Sequence, residues 1–190
     1  ISSQWSTSEI HVVGLFVDHE HADLKTLLMN QQKVRRDRVE QMAVKLEVLG
    51  IGGLREYLSD LPCVSYTRSH VANFLVQCGA AKSRQKAFNQ YLVKGGRAFV
   101  PAQWCTLDEC IHAINSASGF AVLAHPGRYP LNKKKLELLI ADFAIAGGEA
   151  IEVRYPNISP DMVRLLERFA AERSLYLSIG SDFHDPAAQW

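Results

Sequence analysis

Apolar residues in this chain follow two rhythms. Residues 10–17, IHVVGLFV, form a β-rich apolar run that predicts a buried strand. Over residues 23–49 the apolar positions instead recur at helical intervals. Leu24, Leu27, Leu28, Val34, Val39, Met42, Leu46 and Leu49 share a face, and GIGG ends the pattern. Shorter helices are expected next. TRSHVANFLVQCG has Thr67 as N-cap and Gly79 as terminator, and SRQKAFNQYLV runs from Ser83 towards Gly95 and Gly96. From Cys105 the rhythm changes. TLDE is a capping box, Thr106 to Glu109, for a helix reaching Gly119. Strand FAVLAH, a helix over 132–146 and strand AIEVRY follow. A helix with Ser159 as N-cap and Pro160 in its first position leads to strand LYLSIG. Four strands are thus predicted, at 10–17, 120–124, 149–153 and 175–179.

Helices alternating with short apolar strands indicate an α/β fold with a parallel sheet or barrel. The helical stretch over residues 25–105 reads as an insertion subdomain. Residues 1–24 and 106–190 then form the α/β domain. Neither an internal repeat nor a low-complexity tract is visible.

Composition narrows the function. The 190 residues are 47% hydrophobic, enough for one core and a small second one, and the formal net charge is only +1. Such a balance argues against bulk nucleic-acid binding by charge alone. The four cysteines, at 63, 78, 105 and 110, contain no C-x-x-C pair, so reduced thiols and a cytoplasmic location are expected. No apolar stretch is long enough to predict a membrane span, and the opening ISSQWSTSEI does not resemble a signal peptide. The chain does not begin with Met and enters a strand almost at once, which suggests an interior piece of a longer protein.

In parallel α/β folds, functional side chains gather where strands end. AVLAH ends in His125, ahead of PGRY, and LYLSIG ends in SDFH, which carries Asp182 and His184. His11 lies within the first strand. Histidines with a carboxylate suit a borderline divalent cation. A histidine within a strand is more often a core residue with both nitrogens satisfied, and SDFH also reads as a turn capped by its Asp.

EIHVVG, AVLAHPGRY and GSDFH resemble three motifs of the polymerase-and-histidinol-phosphatase (PHP) metal-dependent phosphoesterases. TRSHVANFLVQCG, YLVKGGRAFVP and QWCTLDE resemble the branch with a helical insertion, which includes nucleoside 3′,5′-bisphosphate phosphatases and 5′→3′ exoribonucleases. The resemblance implies a distorted seven-stranded β/α barrel, here partial, with a cluster of two or three divalent metal ions in the complete protein. Mn²⁺ is expected first, with Fe²⁺, Zn²⁺ or Mg²⁺ as alternatives. It makes His11 and His125 ligands of one shared ion, and Asp182 and His184 ligands of its neighbours. The family's opening H-x-H motif, its nearby Asp, its T-D-H-D-type His and its bridging Glu are absent from these residues. The fragment alone is therefore expected to be inactive, and two outcomes are open for the barrel's missing side: an upstream segment completes it, or the fragment covers it against another copy of itself.

By this resemblance the reaction is hydrolysis of nucleotide phosphate esters by a hydroxide generated on the metals. Arg128, and Arg68 with His70 at a helix N-terminus, are the candidate phosphate contacts. The insertion is expected to cover the barrel mouth and bring Arg68 and His70 towards Arg128. KVRRDR (33–38) and KKK (133–135) read as solvated helix faces, although Arg35 or Arg38 could follow an RNA backbone. Tyr129 and Trp104 could stack on a base, but packing is the commoner role. Expected partners are a phosphorylated nucleotide or short RNA, without DNA-specific binding or a membrane. Two other readings are a catalytically dead PHP-like scaffold and, ranked lower, an amidohydrolase on a related barrel.

Overall fold

The computed structural model describes residues 1–183. The chain divides into two compact units, residues 1–28 with 104–190 and residues 29–103. No helix among the described residues is long and apolar enough to cross a membrane.

The first unit is built on one six-stranded mixed sheet. Strands β1 (Ser2–Trp5) and β2 (Ser8–Leu15) form a hairpin whose turn places Ser6 at φ 52°. After the insertion come β3 (Cys105–Thr106), β4 (Phe120–Leu123), β5 (Ala150–Arg154) and β6 (Tyr176–Ile179). The order across the sheet is β3-β1-β2-β4-β5-β6. β2 runs antiparallel to β4, whereas β4, β5 and β6 are mutually parallel. Two strands escaped the sequence reading. β3 is only two residues long, and β1 is Ser-Ser-Gln-Trp, whose propensity is poor. Pairing with β2 buries Ser2 and Ser3 nonetheless.

Strand alternation sorts the side chains of β2. Ile10 and Val12 are fully buried and join Leu123, Ile151 and Val153 in one core. The helices supply Ile111, Ile114, Leu139, Ile140, Phe143, Leu166 and Phe169 to it. Burying each of the larger side chains contributes roughly 1.5–3 kcal/mol. His11, between Ile10 and Val12 in sequence, faces the opposite side. The helices start where their caps say: Thr106 and Glu109 close a capping box, and Ser159 Oγ accepts the Met162 N–H.

The second unit is helical and begins within α1 (Ala22–Val48), which α2 (Leu54–Ser59), α3 (Arg68–Gln77) and α4 (Arg84–Ala87) follow. Met42, Leu46, Val71, Leu75 and Leu92 are fully buried in its core. The helix expected to run on from Ser83 changes at Phe88 into one wide π turn through Leu92. The chain reverses after it, and Arg97 and Ala98 donate their N–H groups to the carbonyls of Gln90 and Tyr91 within that turn. Arg38 is not a free surface cation. It is buried, and its Nε donates to Val100 O at 2.9 Å.

Candidate metal centre

The ends of β4, β5 and β6 meet the middle of β2 around His125. The last rung between β2 and β4 is the Ala124 N–H donating to His11 O, at 3.0 Å. The chain then leaves the strand abruptly. His125 adopts φ 34°, ψ 51°, in the left-handed region, where a non-glycine residue costs about 1–3 kcal/mol and needs surrounding contacts to hold it.

Three contacts do so. The His125 N–H donates to Glu152 Oε2 at 2.7 Å. Its carbonyl accepts from the Arg128 N–H at 2.9 Å, closing the short turn of Pro126–Arg128. Gly127 donates its N–H to the Tyr155 hydroxyl at 2.7 Å. A Cβ at Gly127 would run into that hydroxyl and come within 2.7 Å of Met162 Cγ, so the turn requires glycine.

The next residue, Tyr129, ties β2 to β4. Its hydroxyl accepts the His11 N–H at 2.8 Å and donates to Ala124 O at 2.8 Å. Burial pushes its phenol well above the ordinary value, so it stays protonated. Tyr129 is thus a structural clasp, and its hydroxyl is committed on both sides. Trp104, the other stacking candidate, is also buried.

The result is a close histidine pair. His11 Nδ1 lies 3.2 Å from His125 Nε2, and the rings meet edge to face at 86°. Asp182, itself at φ 50°, places Oδ1 3.8 Å from His125 Nε2. Its Oδ2 pairs with Arg128 Nη1 at 2.8 Å. Arg128 also lies over the Tyr155 ring and donates to Pro156 O at 3.2 Å. His11 Nε2 is 3.7 Å from Glu9 Oε1.

Burial pushes the His125 imidazole down to about 4. The Asp182 charge opposes that shift, and His11 adds to it. Burial raises the Glu152 carboxyl, while the His125 N–H bond pulls it back.

These groups fit a divalent cation on chemical grounds. Two nitrogens each about 2.0–2.1 Å from one ion stand about 2.9 Å apart at a right angle and about 3.4 Å apart at the tetrahedral angle. The observed 3.2 Å falls within that range. A histidine that titrates near 4 is neutral at pH 7, the form that ligates. His125 Nδ1 is buried and has no hydrogen-bond partner among the described residues. Among those residues, no group of three His, Cys, Asp or Glu side chains is placed to enclose an ion by itself.

Of the residues singled out in the sequence, the structure brings together His11, His125, Asp182 and Arg128. His184 lies outside the described residues. Arg68 and His70 belong to the second unit. There His70 Nδ1 accepts the Thr67 N–H at 3.1 Å and caps α3, which leaves Nε2 as its other polar atom. Glu152 was missed, although a carboxylate inside the apolar run AIEVRY is a signal of its own.

No protein-family model matches the chain. It is 42% identical over 187 residues to the 5′-3′ exoribonuclease Rnm of Escherichia coli (strain K12), covering 98% of this chain and 64% of that protein. It is 38% identical over 186 residues to a 5′-3′ exoribonuclease of Haemophilus influenzae, covering 98% and 68%. Identity to a 3′,5′-nucleoside bisphosphate phosphatase of Chromobacterium violaceum is 36% over 190 residues, covering 98% and 66%. Among solved structures, an amidohydrolase of Chromobacterium violaceum, with bound sulfate and no metal, superposes with a TM-score of 0.88 at 37% identity over 98% of this chain and 66% of that one. A metal-dependent phosphoesterase of Bifidobacterium adolescentis shares the fold, with a TM-score of 0.84 at 23% identity over 99% and 67%. The chain therefore spans about two thirds of the length of the proteins it matches, 64% for the Escherichia coli relative.

Proposed function

Because the chain belongs to the PHP family of metal-dependent phosphoesterases, in the branch of the 5′-3′ exoribonucleases and 3′,5′-nucleoside bisphosphate phosphatases, we propose that the protein hydrolyses phosphate esters of nucleotides. The observation that carries this reading is the His11–His125 pair, two ring nitrogens 3.2 Å apart with Asp182 Oδ1 alongside. In this proposal His11 and His125 hold one divalent cation, and Asp182 and His184 extend the cluster towards its neighbours. The sheet carrying them is part of the family's seven-stranded barrel. Mn²⁺ is the first metal to try.

When bound, such cations lower the pKa of water and take up charge on phosphate oxygens. The chain's own groups do the rest. Burial keeps the His125 ring neutral, with a lone pair to offer. Arg128, stacked on Tyr155, presents a planar fork suited to non-bridging phosphate oxygens. Its ion pair with Asp182 ties the anion site to the metal site. Arg68 and His70 are the further phosphate contacts. The sulfate bound by the related Chromobacterium violaceum amidohydrolase supports a site for tetrahedral anions.

The test is phosphate or nucleotide release by the full-length protein in the presence of Mn²⁺, comparing a nucleoside 3′,5′-bisphosphate with a short 5′-phosphorylated RNA. Release should require the divalent ion and be lost in His125→Ala. No release from either substrate, or release unchanged in His11→Ala and His125→Ala, would overturn the reading.

A further inference from the structure

We propose that Glu152 is the positioning residue that holds His125 in its ligating pose and links the exits of β4 and β6. The inference rests on the cation reading above and concerns a residue outside the ligand set.

Glu152 sits third in β5, between Ile151 and Val153, which face the helical core. Its own side chain points to the other face, and the residue is 9% exposed. Among the described residues no other aspartate or glutamate is buried as a whole residue, although the Asp182 side chain is also only 9% exposed. A carboxylate removed from water costs several kcal/mol unless strong hydrogen bonds compensate. Its compensation comes first from one backbone group and secondly from the nearby Arg128 charge. The His125 N–H donates to Oε2 at 2.7 Å, the length of a charge-assisted bond.

That bond replaces a rung of the sheet. The β4–β5 ladder pairs Val122 with Ala150 and Leu123 with Ile151, then stops. Where a continuing parallel strand would use a carbonyl, the chain uses the Glu152 side chain. His125 is thereby released from strand geometry without stranding a buried donor. It can turn into the left-handed conformation that carries its ring to His11.

The other carboxylate oxygen reaches the exit of β6. A Cβ at Gly180 would overlap Glu152 Oε1 and lie 2.6 Å from its Cδ. The Gly180 backbone is fixed there by donating its N–H to Arg154 O at 3.0 Å. Asp182 follows two residues later. One side chain therefore sets the spacing between His125 and the Gly180–Asp182 segment. Oε2 is committed to His125 and Oε1 is packed against Gly180, which distinguishes a positioning role from direct ligation.

Three variants test this: Glu152→Ala, Glu152→Gln, which keeps an acceptor of the same reach, and Gly180→Ala, which displaces the carboxylate without removing it. Each is titrated with Mn²⁺ by calorimetry and with Co²⁺ by visible absorption, beside wild type and His125→Ala. Hydrogen exchange at the His125 amide is read in the metal-free protein.

Glu152→Ala and Gly180→Ala should weaken the first cation about 10–100-fold, alter the Co²⁺ spectrum and speed exchange at the His125 amide. Glu152→Gln should restore affinity to within about threefold of wild type. A role in stability alone would lower the melting temperature and leave affinity and spectrum in the cold unchanged. That result would overturn the inference, and so would Gly180→Ala binding as wild type does. Equal binding by wild type and His125→Ala would instead sink the cation site itself, and the positioning role with it.

Discussion

Replacing Tyr129 with phenylalanine removes one oxygen and leaves the ring in place. That oxygen joins two strands, accepting the His11 N–H and donating to Ala124 O, both at 2.8 Å. A net hydrogen bond contributes about 0.5–1.5 kcal/mol, so the pair together is worth about 1–3 kcal/mol. The upper end applies if the His11 amide is left buried without a partner, since a stranded donor keeps its desolvation cost. No new cavity larger than one oxygen arises, so a core-packing loss does not confuse the reading. Urea unfolding followed by tryptophan fluorescence is the assay. For a slope near 2 kcal/mol/M, the midpoint should fall by about 0.5–1.5 M without a change in slope. The two residues being stitched are His11 itself and the neighbour of His125, so Mn²⁺ affinity should fall in parallel. A loss under about 0.5 kcal/mol would show that the hydroxyl does not hold the strands, and the clasp would have to be abandoned.

Three further outcomes are expected. His70 titrates below its ordinary 6.5, chiefly because burial disfavours the charged ring and secondly because Arg84 is near. The unfolded chain therefore binds that proton more tightly, and the stability contributed is full above 6.5 and lost as pH falls through the folded value. His70→Gln keeps an acceptor for the Thr67 N–H without titrating, so urea melts at neutral and mildly acidic pH should show a flatter dependence than wild type. An identical slope would exclude His70 as its source. Gly127→Ala forces a Cβ against Tyr155 and Met162 and should cost about 1–3 kcal/mol in thermal melts, while a neutral result would mean the turn can relax. Arg68→Ala should weaken binding of a nucleoside 3′,5′-bisphosphate about 10–100-fold while leaving Mn²⁺ affinity unchanged, and equal nucleotide affinity would remove Arg68 from the substrate site.

What could be read in the sequence was whatever local chemistry dictates. Thr106 with Glu109, and Ser159 followed by Pro160, announce helix starts because the orphan N–H groups there need those side chains. His125 and Asp182 stood out because they follow apolar strands. The strand Ser2–Trp5 could not be read, since its serines are strand-forming only once β2 lies beside them. The π turn at Phe88–Leu92 accompanies the folding back of residues 97 and 98, which no local period encodes. His70 was read as a phosphate contact from its place at a helix N-terminus and from the resemblance, and Tyr129 as a packing residue that could also stack on a base. Their observed hydrogen bonds are to the backbone, with Thr67 for His70 and with His11 and Ala124 for Tyr129. Glu152 broke an apolar pattern visibly, but its partner, the His125 N–H, appears only when β4 and β5 are placed side by side.

β2 runs against β4, and this gives the site an unequal tolerance of insertions and deletions. His125 and Asp182 come after their strands have ended, so strand alternation does not assign either side chain to a face of the sheet. His11 is the fourth of eight residues in β2. Slipping that strand by one position would swing His11 to the helical side and bring Ile10 or Val12 round in its place. The hairpin turn at residues 6 and 7 contributes no side chain to the chemistry, yet it meters the strand that does. Losing a single residue there would exchange an imidazole for a hydrocarbon, so variation in this region is expected to alter which residues fill the turn and to leave their number fixed.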